Sequence, residues 1–269
     1  MFKKLRRKFL WKLVYNKVYS VSEDFSIQTL NFGYAHSSST DGIGPSRSNH
    51  ADPNVYGYQL YSAVLSFGTL NAGMKVLEVG CGTGCGLTEQ AVTNPDVEFK
   101  GVDFSRNSIK SAESKFSNIK NLSFIEGNAM DLPFENEAFD LVFNIESSHC
   151  YTDKGKFFSE VQRVLKPAGI FLIADFRMPV NYNKFLQLVK KYFQLTKEVD
   201  ITENVVKSLQ KLTPFRTKIF NDYFKNRPYK RILAKNQLER FAGIEGSLTF
   251  ERFKNGYWKY FICALQKND

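Results

Sequence analysis

A chain of 269 residues, 43% hydrophobic and with a mean hydropathy of −0.33, has the length and composition of one large globular domain, or of one domain with an inserted cap. No apolar run approaches the ~18 residues that would span a bilayer. The net charge of +10 divides into +7 over residues 1–20 and +9 over residues 184–240, which leaves −6 for the remainder. That distribution argues against nucleic acid, which calls for a basic body, and fits an anionic membrane surface or an acidic carrier as well.

The N-terminus is basic, but Lys12 interrupts its apolar stretch and no small-residue cleavage site follows, so it does not read as a secretory signal. Cys81, Cys85, Cys150 and Cys263 lack zinc spacing, and two of them share a glycine-rich loop where a disulfide is hard to accommodate. A reducing, cytoplasmic setting is therefore expected. The 25 Phe and 13 Tyr suggest a roomy apolar site or a membrane-facing surface.

Residues 2–19 read as an amphipathic helix: Phe2, Leu5, Phe9, Leu10, Leu13 and Val14 follow helical spacing, and Lys3, Lys4, Arg6, Arg7, Lys8 and Lys12 fill other positions. Such a helix either packs over a cleft or lies on an anionic membrane. Residues 31–56 are loop-rich, with the character of a lid. Residues 57–71 look helical. From Lys75 strands alternate with helical segments: Lys75–Val79, Glu98–Val102, Leu122–Ile125, Phe139–Asn144 and Gly169–Ala174, the last preceded by a helix over Lys156–Leu165 and a turn at Lys166–Gly169. This order implies parallel pairing with right-handed crossovers. Residues 183–241 read as helical and basic, without a strand signal. Ser247–Phe253 and Tyr257–Leu265, joined by Lys254-Asn255-Gly256, read as an antiparallel hairpin. The expected organisation is an N-terminal helix and lid over 1–60, a Rossmann-like core over 61–180, a helical basic cap over 181–245, and a hairpin over 246–269 completing the sheet.

Glycine stands at every second position in Gly80-Cys81-Gly82-Thr83-Gly84-Cys85-Gly86, directly after the first strand. It removes side chains where backbone approaches a ligand or takes a positive φ. The spacing is neither a dinucleotide fingerprint nor a P-loop. Glu78 would repel a pyrophosphate but help hold an ammonium group. The loop therefore suits a cationic, phosphate-free nucleoside, with S-adenosylmethionine the candidate. In an open parallel sheet ligands bind beyond the carboxyl ends of the strands. Asp103 ends the second strand and can accept hydrogen bonds from both ribose hydroxyls. Asn128 follows the third and can pair with an adenine edge, while the small Ala129 lets backbone approach the ring. After the fourth comes Asn144-Ile145-Glu146-Ser147-Ser148-His149, and after the fifth Asp175-Phe176-Arg177. A lone histidine is more often structural. Here it stands beside the methyl-donor loop with Asp175 on the neighbouring strand, an arrangement suited to taking a proton from a hydroxyl.

Together these residues resemble the class I S-adenosylmethionine-dependent methyltransferases. The resemblance covers about residues 30–180: Glu78-x-Gly80-x-Gly82-x-Gly84, Gly101-Val102-Asp103, Gly127-Asn128-Ala129 through Leu132-Pro133-Phe134, and Arg163 through Gly169, in order. Within that class, Asn144 through Tyr151 is similar to the phthiotriolone dimycocerosate methyltransferases. Glu146-Ser147-Ser148-His149 with Ala174-Asp175-Phe176 is similar to natural-product sugar O-methyltransferases. The resemblance implies an α/β fold with a Rossmann-like seven-stranded sheet, mostly parallel, carrying a C-terminal antiparallel hairpin and helical caps. It implies His149 and Asp175 as a catalytic pair, and Tyr34, Glu78, Gly80, Gly82, Gly84, Asp103, Phe104, Asn128, Ala129 and Asn144 as the cofactor-binding set, with no metal. The expected substrate is a hydrophobic small molecule, a lipid or polyketide, methylated on a hydroxyl. A sterol-type C-methyltransferase, or a membrane-associated cofactor binder without turnover, are the alternatives. Asn128 stands where many relatives carry Asp, and Cys85 is an unusual occupant of its position.

Overall fold

The computed structural model describes residues 29–36, 52, 54–225 and 236–268. The expected helix over 2–19 and most of the expected lid lie outside these residues. The described elements run α1 (Val55–Leu65), β1 (Lys75–Val79), α2 (Cys85–Thr93), β2 (Glu98–Asp103), α3 (Arg106–Lys115), β3 (Leu122–Glu126), β4 (Phe139–Ile145), a 3-10 turn (Ser148–Cys150), α4 (Lys154–Val164), β5 (Leu165–Arg177), α5 (Pro179–Val189), β6 (Phe193–Asp200), α6 (Thr202–Phe224), α7 (236–242), α8 (Leu248–Lys254) and β7 (Lys259–Lys267).

The chain divides into two compact units, Tyr61–Asp200 with Tyr260–Asp269, and Met1–Leu60 with Ile201–Lys259. The first holds a seven-stranded sheet of order β3-β2-β1-β4-β5-β7-β6. β3, β2, β1, β4 and β5 pair in parallel, and β6 pairs with β7 antiparallel. The core joins the sheet to its helices through wholly buried Phe157, Phe158, Val161 and Val164 of α4 and Phe171 and Ile173 of β5, with Phe185 and Val189 of α5 nearly so. The central strands β1, β4 and β5 are buried over most of their length, which explains the apolar runs that marked them in the sequence. The chain leaves β1 for β2 on one side and returns to β4 on the other. The β1–β4 junction is thus the switch point of the sheet, and its carboxyl ends frame a crevice.

The second unit is helical. Ile219, Phe220, Tyr223 and Phe224 of α6 pack with Leu238 and Ile244. Residues 31–36 run extended beside α6: Ser208 Oγ donates to Phe32 O at 2.9 Å, and Ala35 N–H to Asn204 O at 3.2 Å. Among the described residues no helix is long and apolar enough to cross a membrane.

Two expectations are corrected. Ser247–Phe253 is not a strand; the segment forms α8. Ser247 Oγ accepts from Phe250 N–H at 3.3 Å as an N-cap, and Gly256, at φ +69°, follows the helix's last turn with its N–H on Phe253 O at 3.1 Å. The Asn255-Gly256 pair thus ends a helix rather than turning a hairpin. The antiparallel partner of β7 is instead β6, inside the stretch that read as strandless. A smaller difference lies at Lys166–Gly169, which is a bulge within β5: the register jumps from Phe139–Leu165 to Leu141–Ile170, with Ala168 at φ +57°.

Candidate functional site

The site is built at the carboxyl ends of β1, β2, β4 and β5, all within the sheet unit. Gly80 and Cys81 N–H both reach Val102 O, at 2.7 and 3.2 Å, which ties the loop to β2. Gly80 and Gly84 take φ of +83° and +75° in confined places. A Cβ on Gly80 would meet Ser147 Oγ at 2.3 Å, and one on Gly84 would meet Phe124 Cε1 at 2.4 Å. Gly82, at φ +53°, has nothing within 4 Å of its Cβ position and so faces open space. Asp103 accepts from Gly82 N–H at 3.0 Å and from Ser105 N–H at 2.8 Å. The Phe104 N–H acts on the same carboxylate, which leaves it acceptor capacity for an incoming hydroxyl. Burial raises its pKa, and these backbone donors oppose the shift.

Glu78 is wholly buried; its Oε1 accepts from the Tyr61 hydroxyl at 2.7 Å, while Oε2 is buried with no hydrogen-bond partner. An orphaned buried oxygen beneath an open glycine loop fits a ligand that brings a positive charge, and S-adenosylmethionine does. Phe104, 47% exposed directly after Asp103, offers an aromatic face at the rim. Asn128 Oδ1 accepts from Met130 N–H at 3.1 Å, which fixes the loop beyond β3, and Ala129 packs on the sheet core. Asn144 is wholly buried and engaged: its amide lies 2.7 Å from Val79 O, 2.6 Å from Ser147 Oγ and 3.2 Å from Tyr151 Oη, and its Oδ1 accepts from Ser148 N–H at 3.2 Å. It clamps the loops after β1 and β4 to each other. Tyr34 belongs to the helical unit, with its ring edge-on to His36 at 5.0 Å.

Beyond β4 and at the end of β5, His149 Nδ1 lies 2.8 Å from Asp175 Oδ1, with the imidazole 21% exposed and the carboxylate not at all. Asp175 also accepts from Ser148 Oγ at 2.5 Å, from the N–H groups of His149 at 3.0 Å and Phe176 at 2.8 Å, and pairs with Arg177 Nη1 at 3.0 Å. Burial alone would raise its pKa, but Arg177 and His149 outweigh it and hold the carboxyl well below its ordinary range. Burial likewise works against a charged His149, and Asp175 outweighs it, pushing the imidazole up to about 10. Beside this pair Glu146 adopts a left-handed φ of +46° and accepts from the buried Tyr260 hydroxyl at 2.9 Å. A strained non-glycine residue at a strand end is characteristic of functional sites.

Thus the structure brings Glu78, the loop glycines, Asp103, Asn144, His149 and Asp175 to the carboxyl edge of the sheet. Sequence reasoning missed Tyr61, Ser147, Tyr151 and Tyr260. Ser147 and Tyr151 lie within the segment Asn144–Tyr151 but have no role that the segment alone reveals, Tyr61 and Tyr260 stand in no motif, and only the fold aims the four hydroxyls at this edge.

The methyltransferase-domain family model matches residues 70–237. A fatty-acid O-methyltransferase of Mycolicibacterium smegmatis is 35% identical over 201 residues, spanning 74% of this chain and 72% of that protein. A phthiotriol/phenolphthiotriol dimycocerosates methyltransferase of Mycobacterium ulcerans is 42% identical over 106 residues, 39% of either chain. Among solved structures, the geranyl diphosphate C-methyltransferase of Streptomyces coelicolor, bound to S-adenosyl-L-homocysteine, superposes with a TM-score of 0.67 at 15% identity, over 92% of this chain and 93% of that one. The O-methyltransferase segment of StiE superposes with a TM-score of 0.68 at 18% identity, over 93% and 90%.

Proposed function

The chain belongs to the methyltransferase-domain family, and from that premise we propose that it methylates an oxygen of a lipid-like acceptor, with His149 at that oxygen. The cofactor, S-adenosylmethionine, supplies an electrophilic methyl group on a sulfonium. The observation that carries the reading is the 2.8 Å pairing of His149 Nδ1 with a fully buried Asp175, one strand from the glycine loop. With Nδ1 committed to Asp175 and the Cys150 thiol also bonded to the ring, the acceptor would approach at Nε2. Neutral His149 takes the proton of a hydroxyl there, and Asp175 steadies the imidazolium that results. The glycine loop and Asp103 fix the donor, so that much of the rate comes from in-line positioning.

A second reading has its own support. An imidazole pushed up to about 10 is charged at neutral pH. A charged His149 serves as an anchor for a carboxylate, which arrives already ionised and needs no base. The name of the Mycolicibacterium relative points the same way. Incubation with methyl-labelled cofactor and paired long-chain alcohols and acids separates the two. An ether whose formation accelerates as pH rises towards 10 supports the base. An ester whose formation fades as pH passes about 10 supports the anchor. Label on carbon, or none on any lipid, overturns the proposal.

A further inference from the structure

Tyr61 has no part in the reaction above, yet it is built into the floor of the cofactor loop. Its ring occupies the space that a side chain on Gly86 would take: a Cβ there would lie 2.1 Å from Tyr61 Cζ. The last glycine of the loop therefore admits the ring beneath α2. The ring also packs edge-on against Phe143 of β4, at 6.1 Å between centroids. So held, the hydroxyl reaches Glu78 Oε1 at 2.7 Å. The other oxygen of this wholly buried carboxyl is the orphan.

A buried carboxylate with one donor and, among the described residues, no counter-charge is costly to ionise. Among the described residues, the titratable groups acting on the pair are Asp103, Cys81, Cys85 and Tyr260, each an acid that can only oppose a second negative charge. Burial, then Asp103, pushes Glu78 up to about 8, with the Tyr61 hydrogen bond pulling the other way. Without a bound cation Glu78 retains its proton at neutral pH.

We propose that Tyr61 is a positioning residue for the cofactor: it fixes Glu78 so that Oε2 meets the cationic methionine half of S-adenosylmethionine, and that cation enters as a proton leaves. The charge balance is simple. One positive charge comes in with the ligand, the carboxyl O–H bond breaks, and the proton passes to solvent.

Calorimetric titration of the full chain with S-adenosylmethionine at pH 7, in two buffers of different ionisation enthalpy, counts the protons released. Close to one per cofactor is expected for the wild type, and none for Glu78→Gln. Tyr61→Phe strips the donor that favours the ionised form. Its affinity at pH 7 should fall about tenfold, the scale of one hydrogen bond to a charged group. The pH at which its affinity levels off should move upward, a displacement that a merely structural tyrosine would not produce. Three results each overturn the proposal: no proton released by the wild type, release that persists in Glu78→Gln, or an unmoved pH profile in Tyr61→Phe.

Discussion

Asp175 is a carboxylate with its acceptor capacity filled, by Ser148, the backbone and ring of His149, the Phe176 N–H and Arg177. It cannot also serve substrate, so its contribution passes through His149. We expect His149→Ala to slow methyl transfer by roughly 10²–10⁴ under the base reading, with cofactor affinity unchanged by calorimetry. Asp175→Asn should slow it comparably. The same pair sets a pH dependence of stability. The folded pKa of His149 is raised to about 10, so its stabilisation is complete below its ordinary ~6.5 and is lost as pH rises through about 10. Asp175, lowered, contributes above its ordinary ~3.9 and loses that contribution as pH falls below it. Thermal melts across pH 6–11 should therefore show an alkaline decline that is smaller in His149→Ala. Asp103→Ala should weaken S-adenosylmethionine binding, at about 1.5–3 kcal/mol for each charge-assisted bond lost; unchanged binding would remove Asp103 from the site. The positions of Asp103, His149 and Asp175 were legible in the sequence because each stands at or shortly beyond the carboxyl end of an apolar strand. Asn144 was legible as a position but not as a clamp, since nothing local shows that its amide bridges to Val79 O.

At the scale of elements, β1 was read at its observed limits, and β2, β3 and β4 to within a residue: β1 and β4 are buried along nearly their whole length and carry dense apolar runs, whereas β2 and β3 bury only part of their residues and were marked by their short apolar segments alternating with helices. β6 was hidden because its outer positions are polar. Lys197 lies over the Phe67 ring at 4.2 Å, and Glu198 and Asp200 interrupt the alternation. Charge on an outermost strand guards against edge pairing, and the same charge erased the strand's signature. α8 was misread because Leu248 and Phe250 alternate like a strand, while the signal that decided the outcome was the serine before them. The loop glycines differ in what they carry. Gly84 has a positive φ and no room for a Cβ against Phe124. Gly84→Ala should therefore destabilise by about 1–3 kcal/mol, read as a lower urea midpoint. Gly82→Ala, with open space around it, should spare stability more and chiefly weaken cofactor binding.

Across the whole molecule, charge is segregated: residues 1–20 hold +7. We propose that this segment docks the enzyme on anionic lipid, where its acceptor would reside. Each basic residue near such a surface contributes about 1 kcal/mol, declining within a Debye length. Co-sedimentation with anionic vesicles should be strong at low salt and fall steeply as salt is added. A chain lacking residues 1–20 should remain folded and stay in the supernatant; indifference of the full chain to vesicles at low salt would refute the idea. The order of the sheet carries a consequence of another kind. β7 lies between β5 and β6, so the strand made after them is the one that joins them. As the polypeptide leaves the ribosome, β6 has no neighbour until the whole of α6, α7 and α8 has been translated. The nascent enzyme thus passes through a stage in which the outer side of β5 and the whole of β6 await a partner, a natural client for a chaperone that shields unpaired strands. Stalling synthesis just before residue 259 should trap that stage, recognisable as a protease-sensitive β6 beside an already protected β1–β5 core.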